Sequence, residues 1–543
     1  MMRSILRQVL LSGVMLVTAV LVVASGVAAN AATHTSKSSA AAAVSCAAGT
    51  LVQTTTGPVC GIVANGDSEW LGIPYAAPPI GTLRWQPPQP HASWTTPLQA
   101  TQEESPCSQA PGFQTGNISP SEDCLYVDVV VPTGAGPGPL PVMVHIHGGG
   151  FQGGSNAIYP GSFLATQGHA IVVGIQYRLG VLGFLAEQAL GAHSGDYGLE
   201  DQQAGLRWVQ SNIAAFGGDP HNVTIFGESA GGSSMCDQIA SPSASGLFQK
   251  AISMSGEYNS LLGAPTSLQP QDCKATLPTQ SQADAAGATF AAKVGCATAS
   301  DVAACLRAVP VSVLLATPGG TNSPIINGTT LTMQLQKAFA TGKINRVQAI
   351  VGVDRDENLS GTATTPAQYE ALIKAQYGAV APQVLDLYPL DRFPSPFLAF
   401  RTVAADSNTV CPALVTDRRL SKWMPVFAYE GDNTDAPPTF TNPTQPSGAY
   451  HVAEAIFEFP FGFFKVSLDA DQQVLANQVV AEWTTFARTG DPSAAGTLTW
   501  PRFTEGSQQV MSLAPGGDSQ AMSVAQIELN HNCGFWDKVS PKP

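Results

Sequence analysis

The sequence predicts an α/β fold, a large and mostly parallel sheet with helices on both faces. Three observations lead there. The runs Val142-Met143-Val144-His145-Ile146 and Ala170-Ile171-Val172-Val173-Gly174-Ile175 have strand length and are nearly continuously apolar, as expected of strands covered on both faces. Between Asp201 and Phe216, Leu206, Val209 and Ile213 recur at helical spacing. Strand, helix and strand in that order form a crossover unit, which places the strands parallel. Taken along the chain, Pro137 to Pro141 leads into the first of these strands, which stops at His147-Gly148-Gly149-Gly150. The helix after Asp201 ends at Gly217-Gly218-Asp219-Pro220, and Val223 to Phe226 reads as the next strand. Ala349-Ile350-Val351 is a further strand. Leu475, Val479, Trp483 and Phe486 share one face of a late helix that Gly490 and Pro492 close.

The 543 residues are 44% hydrophobic and only 12% charged, about half the roughly 25% charged share of ordinary soluble domains, so an intrinsically disordered chain is excluded. Twenty-five Lys and Arg against 39 Asp and Glu leave a net charge of −14. That balance disfavours nucleic acid and anionic lipid as partners. Arg3 and Arg7 precede an apolar run, Val9 to Ala24, followed by the small residues Gly26 to Ala31. This is the layout of a secretory signal over residues 1–31, because the run is short of the roughly 20 residues a spanning helix needs. Residues 32–45 are a Ser/Ala-rich spacer expected to be disordered. Residues 46–543 carry no internal repeat or charge block and read as one domain. The expected destination is extracellular, with no stable membrane insertion after cleavage. Ten cysteines without any CxxC pair then read as disulfides rather than as metal ligands.

The chemistry gathers around Gly227-Glu228-Ser229-Ala230-Gly231-Gly232. Directly after a strand and before a helix, this is a nucleophile elbow, in which flanking glycines let the chain turn sharply and lift the Ser229 hydroxyl above the sheet. A serine attacks a carbonyl only with a base for its proton and with donors for the developing oxyanion. The glycines after His147 leave backbone N–H groups free to face a cleft, and Ala230 supplies another. In this chain order the acid and then the histidine follow the serine. Only His451 and His531 lie far enough downstream, and His451, after the turn-like Pro446-Ser447-Gly448-Ala449, is the expected base, whereas Cys533 fixes the surroundings of His531. For the acid, Gly352-Val353-Asp354-Arg355-Asp356-Glu357-Asn358 offers three carboxylates past a strand end, and spacing does not choose among them.

With Gly72-Ile73-Pro74-Tyr75-Ala76, Leu83-Arg84-Trp85, Ser121-Glu122-Asp123-Cys124-Leu125-Tyr126, Tyr177-Arg178-Leu179-Gly180, Phe216-Gly217-Gly218-Asp219-Pro220 and Cys533-Gly534-Phe535-Trp536, the chain resembles the type-B carboxylesterase family from about Gly61 to Trp536. That family includes cholinesterases and several fungal lipases and belongs to the α/β-hydrolase superfamily. The resemblance implies Glu357 as the acid, with Asn358 where the family has glycine, and Gly149, Gly150 and Ala230 as the oxyanion donors. It also implies the disulfides Cys107–Cys124, Cys296–Cys305 and Cys411–Cys533, and the ion pairs Arg84 with Glu122 and Arg178 with Asp201. Cys46–Cys60 is expected from proximity, while Cys236 and Cys273 stay unassigned. Glu228 is a family feature that tunes pocket electrostatics, and Phe151 is a candidate pocket residue.

These readings converge on a secreted serine carboxylesterase that hydrolyses small ester substrates through an acyl-enzyme, without metal or organic cofactor. Two alternatives share the fold, a true lipase acting at lipid interfaces and a non-catalytic adhesion or binding module. With His451 as base, activity should fall on acidification through about pH 6.5, the ordinary imidazole value. Asn117, Asn222, Asn327 and Asn358 begin glycosylation sequons.

Overall fold

The structure is a computed structural model that describes residues 46–64, 66–110, 121–134, 138–257, 273–357, 363–437, 448–460 and 466–539. The expected signal and spacer, the sequons at Asn117 and Asn358, and most of the Cys107 to Cys124 loop lie outside those residues.

The large sheet contains β1 (Ile62–Ala64), β2 (Asp67–Pro74), β3 (Tyr126–Pro132), β4 (Leu140–Ile146), β5 (Ile171–Ile175), β6 (Gly218–Glu228), β7 (Lys250–Met254), β8 (Gln348–Asp354), β9 (Val426–Gly431), β10 (Gln509–Leu513) and β11 (Gln520–Ser523). Their spatial order is β11-β10-β9-β8-β7-β6-β4-β5-β3-β2-β1. From β10 to β5 every neighbouring pair is parallel. Antiparallel strands close the two edges, β11 on one side and β3, β2 and β1 on the other. The predicted mostly parallel sheet is therefore present, and its antiparallel margins are an addition.

Strand alternation builds both core layers. Along β4, Val142, Val144 and Ile146 enter one apolar core and Met143 enters the other. The first core takes the buried face of α2 (Tyr197–Asn212), including Leu206 and Val209, and the second takes Leu164 and Ala165 of α1 (Ser162–Gly168) and Leu475, Val479, Trp483 and Phe486 of the late helix Ala470–Thr489. Asp469 and Gln472 form a capping box at the start of that late helix, and Gly490, at φ 83°, ends it in the left-handed region.

One strand boundary corrects the sequence reading. The Gly218-Asp219-Pro220 segment, read as a stop, already belongs to β6. Leu140 pairs with Gly218 and Val142 with Val223, so residues 219–222 bulge out of register, and Pro220, which lacks an N–H, sits in that bulge.

Five disulfides form: Cys46–Cys60, Cys107–Cys124, Cys236–Cys273, Cys296–Cys305 and Cys411–Cys533. Arg84 pairs with Glu122 through two bonds of 2.7 and 2.5 Å, and buried Arg178 pairs with Asp201 through bonds of 2.7 and 2.8 Å. The second pair fixes α2 against the chain leaving β5. Two sequon asparagines are committed to internal contacts: Asn222 accepts from Lys250 Nζ, and buried Asn327 accepts from the amides of Thr329, Thr330 and Leu331. No helix among the described residues is long and apolar enough to cross a membrane.

Candidate active site

Strand β6 delivers Ser229 to the head of α3 (Ala230–Ala240). Ser229 has φ 59° and ψ −125°, a conformation that L-residues with a side chain rarely adopt and that costs on the order of 1–3 kcal/mol. The glycines around it are required by close approach. A Cβ on Gly227 would lie 2.3 Å from the Ile146 carbonyl oxygen, and one on Gly231 would lie 2.0 Å from the same atom. The end of β4 thus presses against the elbow. The Ser229 side chain does not cap α3, and the residue is half-buried.

The glycine run follows β4 and meets the same turn. A Cβ on Gly148 would stand 3.0 Å from Ser229 Cβ, and Gly149 and Gly150 take φ values of 112° and 63°. Among the described residues the N–H groups of Gly149, Gly150 and Ala230 have no acceptor, and Ala230 stands at the N-terminus of α3, where the helix leaves donors open. Three donors are therefore available beside the serine. The base of the loop is held by Tyr177, whose ring stacks on His147 at 4.4 Å and whose hydroxyl donates to the His147 carbonyl at 2.8 Å. Phe151, at φ 59°, is fully buried and meets Phe184 edge-on at 5.4 Å.

The three downstream carboxylates have separate partners. Glu357 Oε1 accepts from His451 Nδ1, and Glu357 Oε2 accepts from the Asp354 amide at 3.0 Å. Asp354, the last residue of β8, accepts from the Ala453 amide at 3.0 Å. Asp356 accepts from the Ala449 amide at 3.1 Å and from Thr402 at 2.7 Å. Asp354 and Asp356 thus pin the two ends of the loop bearing His451, while Glu357 addresses the imidazole.

His451 Nε2 faces Glu228 Oε1 at 3.0 Å, and no hydrogen bond joins it to Ser229 among the described residues. The imidazole is 4% exposed and lies between two carboxylates. Burial opposes its charge, but Glu228 and Glu357 outweigh burial and raise its pKa to about 9. Burial likewise pushes Glu228 up, against the pull of His451. Both carboxylates thus favour the protonated imidazole, in the direction of a titration above the ordinary 6.5 of an unperturbed ring. Further buried acids lie behind this pair. Ser255 Oγ donates to Glu454, and burial holds Glu458 well above the usual carboxylate range.

The sequence reading gave Glu228 only a general electrostatic role. Its direct contact with His451 spans more than two hundred residues and leaves no local signal. The Cys236–Cys273 bond, which ties α3 to the chain after it, was also left unassigned.

Comparison with known proteins adds to this geometry. Residues 48–536 match the carboxylesterase family. The chain belongs to that family. Among its relatives, the para-nitrobenzyl esterase of Bacillus subtilis is 33% identical, covering 85% of this chain and 94% of that protein. The cholinesterase of Mus musculus is 30% identical over 91% of this chain and 87% of its own. The fumonisin B1 esterase of Sphingopyxis macrogoltabida is 32% identical over 83% of this chain and 84% of its own. The protein is a carboxylic ester hydrolase with the α/β-hydrolase fold.

Proposed function

We propose that this carboxylesterase hydrolyses small esters through a covalent acyl-enzyme formed on Ser229. The observation that carries the reading is the buried His451–Glu357 hydrogen bond, with the other ring nitrogen of His451 facing Glu228, the residue before a serine held at φ 59°.

In the reaction, Nε2 first leaves its proton on Glu228; the neutral imidazole, still donating Nδ1–H to Glu357, then turns Nε2 toward Ser229 and takes the hydroxyl proton as the serine oxygen bonds to the ester carbonyl carbon. The carbonyl oxygen becomes an oxyanion, accepted by the N–H groups of Gly149, Gly150 and Ala230, each worth about 10²–10³ in turnover by analogy with other serine hydrolases. Collapse breaks the bond to the alkoxy oxygen, His451 returns the proton to the departing alcohol, and the acyl group stays on Ser229. Water, deprotonated by the same imidazole, then releases the acid and restores the hydroxyl. Glu357 fixes the tautomer and stabilises the imidazolium. Glu228 holds the resting ring and must be left before the base can act.

The reading extends to export. Residues 1–31 serve as a cleaved signal, 32–45 as a spacer and 46–543 as a single secreted catalytic domain; five disulfides support an oxidising compartment. Rapid acid quenching during turnover of a p-nitrophenyl ester, followed by peptide mass spectrometry, tests the mechanism. An acyl adduct on the Ser229 peptide, absent in Ser229→Ala, is expected. Full activity in Ser229→Ala contradicts it.

A further inference from the structure

On the opposite side of β4 from the Ile146 core, the sheet carries a second polar site that the esterase mechanism does not use. Across β2, β3, β5 and β4, Glu69 pairs with Val130, Asp128 with Gly174, and Gly174 with His145. Directly paired residues share a face, as do residues two apart on one strand, so Glu69, Asp128 and His145 project to one side. The segment 156–162 roofs them and Glu103 stands at the exposed rim, leaving a cleft of about 60 Å³. We propose that this cleft binds a hydrated hard divalent cation, calcium or magnesium, as a structural ion.

The acidic side chains alone do not make the case. Asn156 is 4% exposed, and its Nδ2 donates to Asp128 Oδ2 at 3.1 Å, yet its Oδ1 is buried without a hydrogen-bond partner among the described residues. His145 lines the cleft with its ring packed on Tyr159, Phe226 and Phe459 at 4.7, 5.0 and 4.9 Å, and is not a ligand for a hard cation. Buried polar atoms are ordinarily satisfied, and an orphan carbonyl oxygen on a side chain already held against a carboxylate calls for a donor or a cation. Glycine makes the room: a Cβ on Gly174 would come within 2.8 Å of Asn156 Cγ. No Lys or Arg lines the cleft, so the carboxylates face one another without a compensating charge.

Oxygen donors of this kind select a hard cation. No three of these acidic or histidine side chains bring ligand atoms within 4.8 Å of one another. The ion therefore keeps several waters and is held partly through them, as magnesium and weakly bound calcium commonly are.

Calorimetric titration of the full-length, chelator-treated protein with calcium or magnesium chloride tests this, with matched ionic strength and Glu69→Gln/Asp128→Asn as comparison. One saturable ion per chain is expected, with Kd of about 10⁻⁴–10⁻³ M and a rise in Tm of about 2 °C or more at saturation. The double variant should bind at least about tenfold more weakly and lose the Tm shift while keeping esterase activity. Asn156→Asp, which adds a charge to the same site, should bind about threefold or more tightly. Absence of saturable binding up to about 10 mM, or undiminished binding by the double variant, overturns the proposal, as does an Asn156→Asp variant with unchanged affinity.

Discussion

Two histidines in this molecule have nearly the same immediate surroundings and, under the proposed mechanism, opposite uses. His451 and His531 are both buried, and each presents its two ring nitrogens to two carboxylates, Glu357 and Glu228 in one case, Asp406 and Glu430 in the other. What differs is the framework. His531 bonds to Asp406 at 2.5 Å and to Glu430 at 2.8 Å, the latter on β9. Tyr388 donates to Asp406 at 2.6 Å and accepts from Trp536 at 2.7 Å, and the Cys411–Cys533 bond lies beside this cluster. All its partners sit on packed elements. His451 instead lies in a short loop pinned at its ends by Asp354 and Asp356, and one of its acids immediately precedes a strained, half-buried serine. An imidazole between two acids is thus a clamp when every partner is fixed. Under the proposed mechanism it becomes a base when its loop allows a turn and one of its acids borders the nucleophile in the chain.

Exchanging the two histidines for inert residues breaks the comparison most sharply. His451→Ala should reduce kcat/KM for a p-nitrophenyl ester by about 10³–10⁴-fold while the folded structure persists. His531→Ala should leave activity per folded molecule near that of the parent. It should instead lower unfolding free energy by about 3–5 kcal/mol, because two buried carboxylates lose their cation. Urea titration and active-site-normalised kinetics on both variants check this pair.

The pH dependence of the clamp sharpens it further. Burial lowers the His531 pKa, but Asp406 and Glu430 override burial and raise it well above the ordinary value. A group raised in the folded state contributes fully below its unfolded pKa of about 6.5, and that contribution is lost as pH climbs through the folded value. The stability gap between the parent and His531→Ala should therefore narrow from about pH 7 upward. A gap that widens over that range contradicts the clamp.

The smallest effect concerns the resting contact of His451. Glu228→Gln removes one of the carboxylates that raise the imidazole toward 9. The limb of the kcat/KM profile should move to lower pH by about one unit, because a neutral neighbour no longer holds the proton. An unmoved limb would mean that Glu228 does not set the resting charge.

Much of this arrangement was legible in the chain before any coordinates. The elbow and the glycine run are local: each needs a strand end, a particular turn and small residues in immediate succession, and these were readable at Gly227 to Gly232 and Gly148 to Gly150. The acid was not readable from spacing, because Asp354, Asp356 and Glu357 lie within one turn of chain and are separated only by which atoms of the distant 448–453 loop each one meets. The β6 boundary was misplaced because glycine and proline announce a turn whether the chain leaves the sheet or merely bulges from it. The Glu228–His451 contact and the cleft of Glu69, Asp128 and His145 are products of sheet order, in which β2 and β3 join the far edge antiparallel, and residue spacing does not encode that order.

The central claim is that His451 activates Ser229. The most direct measurement is the rate at which a fluorophosphonate probe labels the Ser229 peptide in the parent, His451→Ala and His531→Ala proteins. The account predicts rapid labelling of the parent and of His531→Ala, and labelling slower by about 10³-fold or more in His451→Ala. Equal rates in the parent and His451→Ala, or an adduct on a residue other than Ser229, would contradict it.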